Sequence, residues 1–277
     1  MEPARHLAAQ GWGLTIVPVD GMGRVSAEAV AEAVRPDTAL VSVMLANNEV
    51  GTLQPIAEIA TQLSGSGVLL HTDAAQAVGK VAVNVDALGV DLLTVAGHKF
   101  QASKGIGALY VRQGTPIRQI LFGAGHERGL RPGTENVPAI IGLGVAAELA
   151  ARHLAQPGST LRDRRDQLHG RLGAAIPGLS LNGHPEDRLP NTLNVSFPQV
   201  SGQGLLAAAS DAVMASVGAA CHAGESAPSG VLGAMGLDTT RALGAVRLSV
   251  GWQTTEDEIT RASDALIHAW QHLATGG

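Results

Sequence analysis

The chain has 277 residues, 45% of them hydrophobic and only 3% aromatic, so the sequence predicts one large or two modest domains with an aliphatic core. The formal net charge of −5 excludes a general electrostatic grip on nucleic acid, and it argues against a polybasic membrane anchor. Cys221 is the one cysteine, which excludes an intrachain disulfide and a four-cysteine zinc site.

The N-terminus has no basic patch followed by an apolar run, so we predict no signal peptide. The uncharged stretch Val137–Ala147 is shorter than the roughly 20 apolar residues that a membrane span needs. We therefore expect a soluble, cytoplasmic protein without a membrane partner.

Up to about residue 112, short apolar runs alternate with helical patterns. This alternation is typical of an α/β architecture with a mostly parallel sheet, whose strands are buried on both faces. The expected strands are Leu14–Val19, Leu40–Ala46, Val68–His71, Leu92–Ala96 and Ala108–Val111. The expected helices between them are Ser26–Val34 and Ile56–Leu63.

The second half of the chain has an α+β pattern. We place a domain boundary at the break Gln156-Pro157-Gly158, which gives domains 1–156 and 157–277. Expected helices are Pro138–His153 and Thr160–Ile176, and expected strands are Leu179–Leu181, Leu193–Ser196 and Val246–Val250. The last helix begins after a capping box, Thr255 to Glu258, and continues with apolar residues at helical spacing.

Asp73 and Lys99 each follow an apolar strand, at the position where ligands bind in open α/β sheets. Taken alone, Asp73 is typical of a turn or helix cap and Lys99 of a solvated loop. Taken together, they offer a lysine that can form a Schiff base and a carboxylate that can keep a pyridinium nitrogen protonated. That pair is what a pyridoxal phosphate site requires.

Five segments resemble the cysteine desulfurase and selenocysteine lyase family, which consists of fold-type-I pyridoxal phosphate enzymes of aminotransferase class V. These segments are Val68–Lys80, Gly97–Lys99, Lys104–Val111, Gly125–Asn136 and Ser216–His222. The order and spacing of these segments make the resemblance specific. They include steps of 26 residues from Asp73 to Lys99 and from Cys221 to Arg247. The resemblance implies a large α/β domain that holds the cofactor and a smaller α+β domain that carries a catalytic cysteine loop.

The resemblance also implies a role for each matching residue around pyridoxal 5′-phosphate. Lys99 forms the Schiff base and then moves protons at the substrate Cα, while Asp73 pairs with the pyridine nitrogen. Gln76 binds the phenolic oxygen, and Asn48 lies beside cofactor and substrate. His98 contacts the phosphate or assists proton transfer.

Three further residues are implied to serve the dimer and the substrate. Thr134 reaches the phosphate of the neighbouring subunit, which implies a homodimer. Arg247 binds the substrate carboxylate in a bidentate fork, although an arginine within an apolar strand alone favours a structural ion pair. The Cys221 thiolate attacks the sulfur or selenium of the substrate, although a cysteine among alanines alone is more often a buried small hydrophobe.

The expected reaction releases L-alanine from L-cysteine and leaves a persulfide on the enzyme for an acceptor protein, as in iron–sulfur cluster assembly. The first alternative is a selenocysteine lyase acting on L-selenocysteine, because LLHTDAAQAVGK, MASVGAACH and RLSVG look particularly like such enzymes. Transamination is a weaker alternative, because it needs no thiol.

The chain departs from the family pattern in three places, and these departures support a further alternative, a catalytically impaired fragment that keeps the fold. Ala96 replaces a hydroxyl residue that can bind phosphate, and Gln101-Ala102-Ser103 replaces the usual Tyr-Gly-Pro. The resemblance also implies that the family's N-terminal portion is lacking, with its Gly-Thr phosphate turn and the histidine that stacks on the cofactor ring. With fewer hydrogen-bond donors for the cofactor phosphate, we expect weaker cofactor binding.

Overall fold

The first part of the chain folds around a four-stranded mixed sheet, described here from a computed structural model covering residues 1–154, 160–218 and 229–275. Its strands are β1 (Leu40–Met44), β2 (Leu69–Asp73), β3 (Leu92–Ala96) and β4 (Gly107–Val111). β1, β2 and β3 are parallel, and β4 is antiparallel to β3. The predicted strands from residue 40 to residue 111 are therefore confirmed, with ends shifted by at most two residues.

The predicted strand Leu14–Val19 is wrong. The structure shows an extended segment there, and its backbone forms only an isolated bridge between Val19 and Val25. Its side chains alternate as they do in a strand, since Leu14 and Ile16 are exposed while Val17 and Val19 pack against the core. Alternation indicates a segment with one face on the core, and a strand also needs a neighbouring backbone with which to pair.

One face of this sheet is covered and the other is open among the described residues. Leu70 and Leu93 lie on the covered face and pack against Ile56 and Ile59 of the third helix. Leu40, Met44 and Leu109 lie on the opposite face and are 49%, 41% and 50% exposed. The expectation of burial on both faces is thus wrong for β1 and β4, because the helices that follow β1 and β2 pack on one side only.

The helices of the described residues are mostly short. They are α1 (Glu2–Ala9), α2 (Ala27–Glu32), α3 (Ile56–Gln62), α4 (Val85–Leu88), α5 (Val137–Leu154), α6 (Thr160–Ala175), α7 (Gly202–Ala208), α8 (Gly230–Ala234), α9 (Thr239–Leu243) and α10 (Glu256–Thr275). Single 3₁₀ turns are formed by Gly97–Lys99 and Glu127–Gly129. The predicted helices are all present, whereas α1, α4, α7, α8 and α9 were not predicted.

The second part is built on a three-stranded antiparallel sheet. Its strands are β5 (Ser180–Leu181), β6 (Thr192–Ser196) and β7 (Ala245–Ser249), in that order. Leu168 and Leu172 of α6 and Leu266 of α10 form its core with β6, all of whose residues are buried.

The predicted capping box is confirmed, since the Thr255 amide donates to Glu258 Oε2 at 2.8 Å and the Glu258 amide to Thr255 Oγ1 at 3.2 Å. The predicted boundary at residues 156–158 lies outside the described residues and stays a prediction.

Helix α5 corrects the expectation, drawn from residues 137–147 alone, that this apolar stretch is too short to span a membrane. It continues through Glu148 and Arg152 to 18 residues with a mean hydropathy of 1.3, which is long and apolar enough to cross a membrane by length and composition. One such helix is weak evidence for a membrane span, because core helices of soluble proteins meet the same criterion, although such helices are mostly buried and α5 is 11% buried. Ala146 and Ala150 of α5 are buried against Phe100.

Candidate active site

The ends of β2 and β3 bring three of the predicted cofactor residues to one edge of the first sheet. Asp73 is the last residue of β2 and lies opposite Thr94 of β3. β3 continues to Ala96 and leads directly into the 3₁₀ turn that contains His98 and Lys99. Because the two strands are parallel, Asp73, His98 and Lys99 lie beyond the same carboxyl edge, and all three are exposed.

The turn after β2 fixes the backbone around Asp73 and leaves its carboxylate exposed. Asp73 Oδ1 accepts a hydrogen bond from the Ala75 amide at 2.9 Å. The Ala74 amide donates to the Thr94 carbonyl at 3.0 Å, which extends the pairing with β3 by one residue. Gln76 follows in the same turn and is partly buried. The turn therefore presents a carboxylate and an amide at the edge of the sheet.

A tightly packed turn holds Lys99. The Phe100 amide donates to the Gly97 carbonyl at 3.0 Å, and the Phe100 ring is buried against α5. Gly97 has no space for a side chain, because a Cβ there would lie 2.9 Å from the Ile106 carbonyl oxygen. The backbone at Lys99 is therefore fixed, while its side chain projects from the surface.

A row of polar side chains crosses the open face of the sheet next to Asp73. His71 Nδ1 lies 2.8 Å from Ser42 Oγ, and His71 Nε2 lies 2.8 Å from Thr94 Oγ1. Burial lowers the pKa of His71, and the nearby Asp73 carboxylate partly opposes this shift. A neutral imidazole suits the row, because one ring nitrogen can donate and the other can accept.

The turn after β1 joins the two parts of the chain. Asn47 Oδ1 accepts from the amides of Glu49 and Val50 at 2.8 and 2.9 Å, which holds the turn closed. The Asn48 carbonyl, at the tip, accepts from Arg247 Nη1 of β7 at 3.0 Å. Asn48 and Arg247 are therefore adjacent although 199 positions separate them.

Arg247 has the geometry of an anion-binding group. Its backbone is fixed by a bridge to Ser216, with N–O distances of 2.7 and 3.3 Å. Its Nε is buried and has no hydrogen-bond partner among the described residues, and no carboxylate of those residues forms an ion pair with it. Arg247 thus forms no structural ion pair within the described part of the chain, and a bound carboxylate would satisfy its Nε donor.

Glu49 is a buried carboxylate that holds one end of the segment carrying Cys221. Its side chain is 2% exposed, and Oε2 accepts from Ser229 Oγ at 2.7 Å. Its backbone carbonyl accepts from Asn194 Nδ2 at 3.2 Å. Cys221 itself lies outside the described residues. The described chain on either side of it is anchored at the same place, with Ser216 bound to Arg247 and Ser229 to Glu49.

Thr134 lies apart from these contacts. It is exposed in the loop that precedes α5, and no hydrogen bond joins it to the other predicted site residues among those the structure describes. Its predicted contact with the phosphate of a neighbouring subunit stays a prediction.

The sequence analysis missed Asn47, Glu49 and His71. Asn47 and Glu49 flank the predicted Asn48 in a segment that is otherwise small and apolar, and two polar residues beside a predicted ligand are a signal of a hydrogen-bonded turn. His71 lies two residues before Asp73 and therefore on the same face of the strand, which is a signal that period-2 spacing provides.

The sequence and the fold match known proteins. Residues 1–262 match the family described as aminotransferase class-V. The chain belongs to this family. It is 42% identical over 268 residues to the cysteine desulfurase IscS of Methanosarcina thermophila, covering 96% of this chain and 66% of that protein. The chain thus spans about two thirds of that relative's length. Further curated proteins named cysteine desulfurases are 41% to 45% identical.

Solved structures agree with the predicted fold class. A NifS-like protein superposes with a TM-score of 0.89 at 36% identity, covering 98% of this chain and 72% of that one. SspA in complex with cysteine superposes with a TM-score of 0.75 at 33% identity, covering 90% of this chain and 69% of that one. The predicted family and the α/β fold of type I are therefore confirmed.

Substitution of Asn47 tests the turn after β1. Asn47→Ala removes the acceptor for two buried amides, so we expect the free energy of unfolding to fall by about 1–3 kcal/mol in a denaturant titration. Asn48→Ala is the matched control, because the described contact of Asn48 uses its backbone carbonyl. Equal losses for the two variants would contradict this account of the turn.

Proposed function

We propose that the protein is a pyridoxal phosphate-dependent cysteine desulfurase that converts L-cysteine to L-alanine and retains the sulfur as a persulfide on Cys221. The observation that carries the proposal is the position of Asp73 and Lys99 at the ends of two adjacent parallel strands. Cysteine desulfurases and other class-V aminotransferases depend on pyridoxal 5′-phosphate, and the names of the relatives support the same activity.

The side chains at this edge of the sheet have the chemical groups that the cofactor requires. The Asp73 carboxylate suits a protonated pyridine nitrogen, the Lys99 amine suits the aldehyde, and the Gln76 amide suits the phenolic oxygen. When bound, pyridoxal phosphate withdraws electrons from the Cα of an amino acid substrate. In this arrangement the negative charge of Asp73 would keep a proton on the ring nitrogen, and Lys99 would be the residue that binds the aldehyde.

The substrate is oriented by residues of the second sheet. Arg247 binds the α-carboxylate through its buried Nε, and its contact with the Asn48 carbonyl sets the plane of the guanidinium group. The Lys99 amine would take a proton from the substrate Cα and would later return a proton. His98 is adjacent to Lys99 in the same turn and is available for the phosphate or for proton transfer.

Cys221 carries the sulfur transfer. Its thiolate attacks the sulfur of the substrate, an S–S bond forms and the Cβ–S bond breaks. The electron pair of the broken bond stays with Cβ, which takes up a proton, so alanine leaves and the persulfide remains on Cys221. This assignment rests on the sequence position of Cys221 within the family pattern.

SspA, which was solved with cysteine bound, is 33% identical to the chain and supports L-cysteine as substrate. We extend the proposal to a homodimer in which Thr134 reaches the neighbouring subunit's phosphate, to a separate sulfur-acceptor protein and to a cytoplasmic location. L-Selenocysteine is the alternative substrate, and the experiments below include it.

Borohydride trapping tests Lys99. The chain is incubated with pyridoxal phosphate, and borohydride then reduces the bond between the cofactor and its lysine. The resulting stable adduct should map to Lys99 by mass spectrometry. Lys99→Ala should abolish this adduct, whereas Lys104→Ala, which changes an exposed lysine in the same loop, should retain it. An adduct that maps to another lysine overturns the assignment. A wild-type chain that forms no adduct favours the alternative of an inactive chain that keeps the fold.

Sulfide release tests Cys221. With L-cysteine and an external reductant, Cys221→Ser should retain bound cofactor and lose sulfide release, because serine cannot accept sulfur as a persulfide. Sulfide release at the wild-type rate would remove Cys221 from the mechanism. Parallel assays with L-selenocysteine decide between the two substrates: turnover of selenocysteine alone would replace the desulfurase proposal with the lyase.

A further inference from the structure

We propose that Lys80 is a positioning residue whose ammonium group joins the backbone of the Gln76 turn to the backbone of the Lys99 turn and so sets the position of Lys99 relative to the cofactor. This inference rests on the function proposed above. It assigns a role to a second lysine close to Lys99.

The contacts of Lys80 bridge the two turns that follow β2 and β3. Its Nζ donates to the Gln76 carbonyl at 2.9 Å and to the Lys99 carbonyl at 3.4 Å. The two acceptors belong to the two residues that face the phenolic oxygen and the aldehyde in the proposed site. A single charged group thus connects the backbones of two cofactor-binding residues that are 23 positions apart along the chain.

The packing around Lys80 makes this bridge a fixed feature. Gly79 adopts a φ of +77°, and a Cβ there would lie 3.2 Å from the Cβ atoms of both Phe100 and Ala150. The turn that contains Lys80 therefore packs against the turn that contains Lys99, and α5 packs against both turns. Close packing at residue 79 fixes the direction from which the Lys80 side chain enters the gap between the turns.

The charge of Lys80 is held in an unusual way. Its side chain is partly buried, and it forms no ion pair among the described residues, so backbone carbonyls are its described partners. Burial lowers the pKa of Lys80 to about 8, and the Lys99 charge adds to that shift. Partial removal of an ammonium group from water beside another cation costs free energy, and two carbonyl acceptors offset part of that cost.

A lysine that served stability alone would act on the fold as a whole, whereas a positioning lysine acts on the adjoining turns and on the cofactor. The local hydrogen bonds of the Lys99 turn provide a probe, because the amides of Phe100 and Ala102 both donate to the Gly97 carbonyl at 3.0 Å. Their hydrogen exchange reports on the turn with or without cofactor.

The experiment compares Lys80→Met, which keeps the length of the side chain and removes its donors, with Lys80→Arg, which keeps a cation and donors. Lys104→Met is the matched control, since Lys104 is exposed in the same region. We expect Lys80→Met to weaken pyridoxal phosphate binding by about tenfold in an absorbance titration, with about a hundredfold as the upper bound if the whole free energy of a charged hydrogen bond is transmitted to the cofactor through the Lys99 turn. It should also speed hydrogen exchange at Phe100 and Ala102, and Lys80→Arg should restore part of both properties.

Unchanged cofactor affinity and unchanged exchange in Lys80→Met would overturn the proposal. A fall in the melting temperature of the cofactor-free protein, with exchange raised across both sheets and no rescue by arginine, would overturn it in favour of a general structural role. If the wild-type chain forms no adduct with pyridoxal phosphate, the proposed function fails separately. In that case, hydrogen exchange at the Phe100 and Ala102 amides of the cofactor-free protein, compared between wild type and Lys80→Met, decides whether Lys80 joins the two turns.

Discussion

The parallel pairing of β1, β2 and β3 is the constraint on which the rest of the structure depends. Parallel neighbours end at the same edge of a sheet, so the turns that follow these strands meet there. The turn after β1 carries Asn48, β2 ends at Asp73 with Gln76 in the turn that follows, and the turn after β3 carries Lys99. A slip of one residue in the pairing would move Asp73 to the helix-covered face and separate it from Lys99.

The turn at residues 47–51 transmits this arrangement to the second sheet. Its tip binds Arg247 through a carbonyl, and its buried Glu49 holds Ser229. Val50 is fully buried in a small core with Leu232 of α8 and Ala245 of β7. The groups assigned to the cofactor and the group assigned to the substrate carboxylate thus occupy fixed relative positions, because one hydrogen-bonded turn contacts both parts.

Strong local patterns in the sequence predict most of this architecture. The apolar runs locate β1 to β4, and the Thr255 capping box locates the start of α10, because those signals depend on residues close together in the chain. The apolar runs also predict that Asp73 and Lys99 lie at the ends of neighbouring strands, whereas the assignment of Cys221 depends on the family pattern alone. The extended segment at residues 14–19 was misjudged because backbone pairing depends on distant residues. Glu49 and Lys80 were missed for the same reason: Glu49 binds a serine 180 positions away, and Lys80 binds a carbonyl 19 positions away.

The central claim is that this edge of the sheet holds pyridoxal phosphate between Asp73 and Lys99. A crystal structure of the chain grown with pyridoxal phosphate tests it most directly. The account predicts electron density continuous from Lys99 Nζ to the aldehyde carbon, with an Asp73 carboxylate oxygen at roughly 2.7–2.9 Å from the ring nitrogen. Cofactor density at another lysine, or a ring nitrogen without Asp73 as its partner, would contradict it.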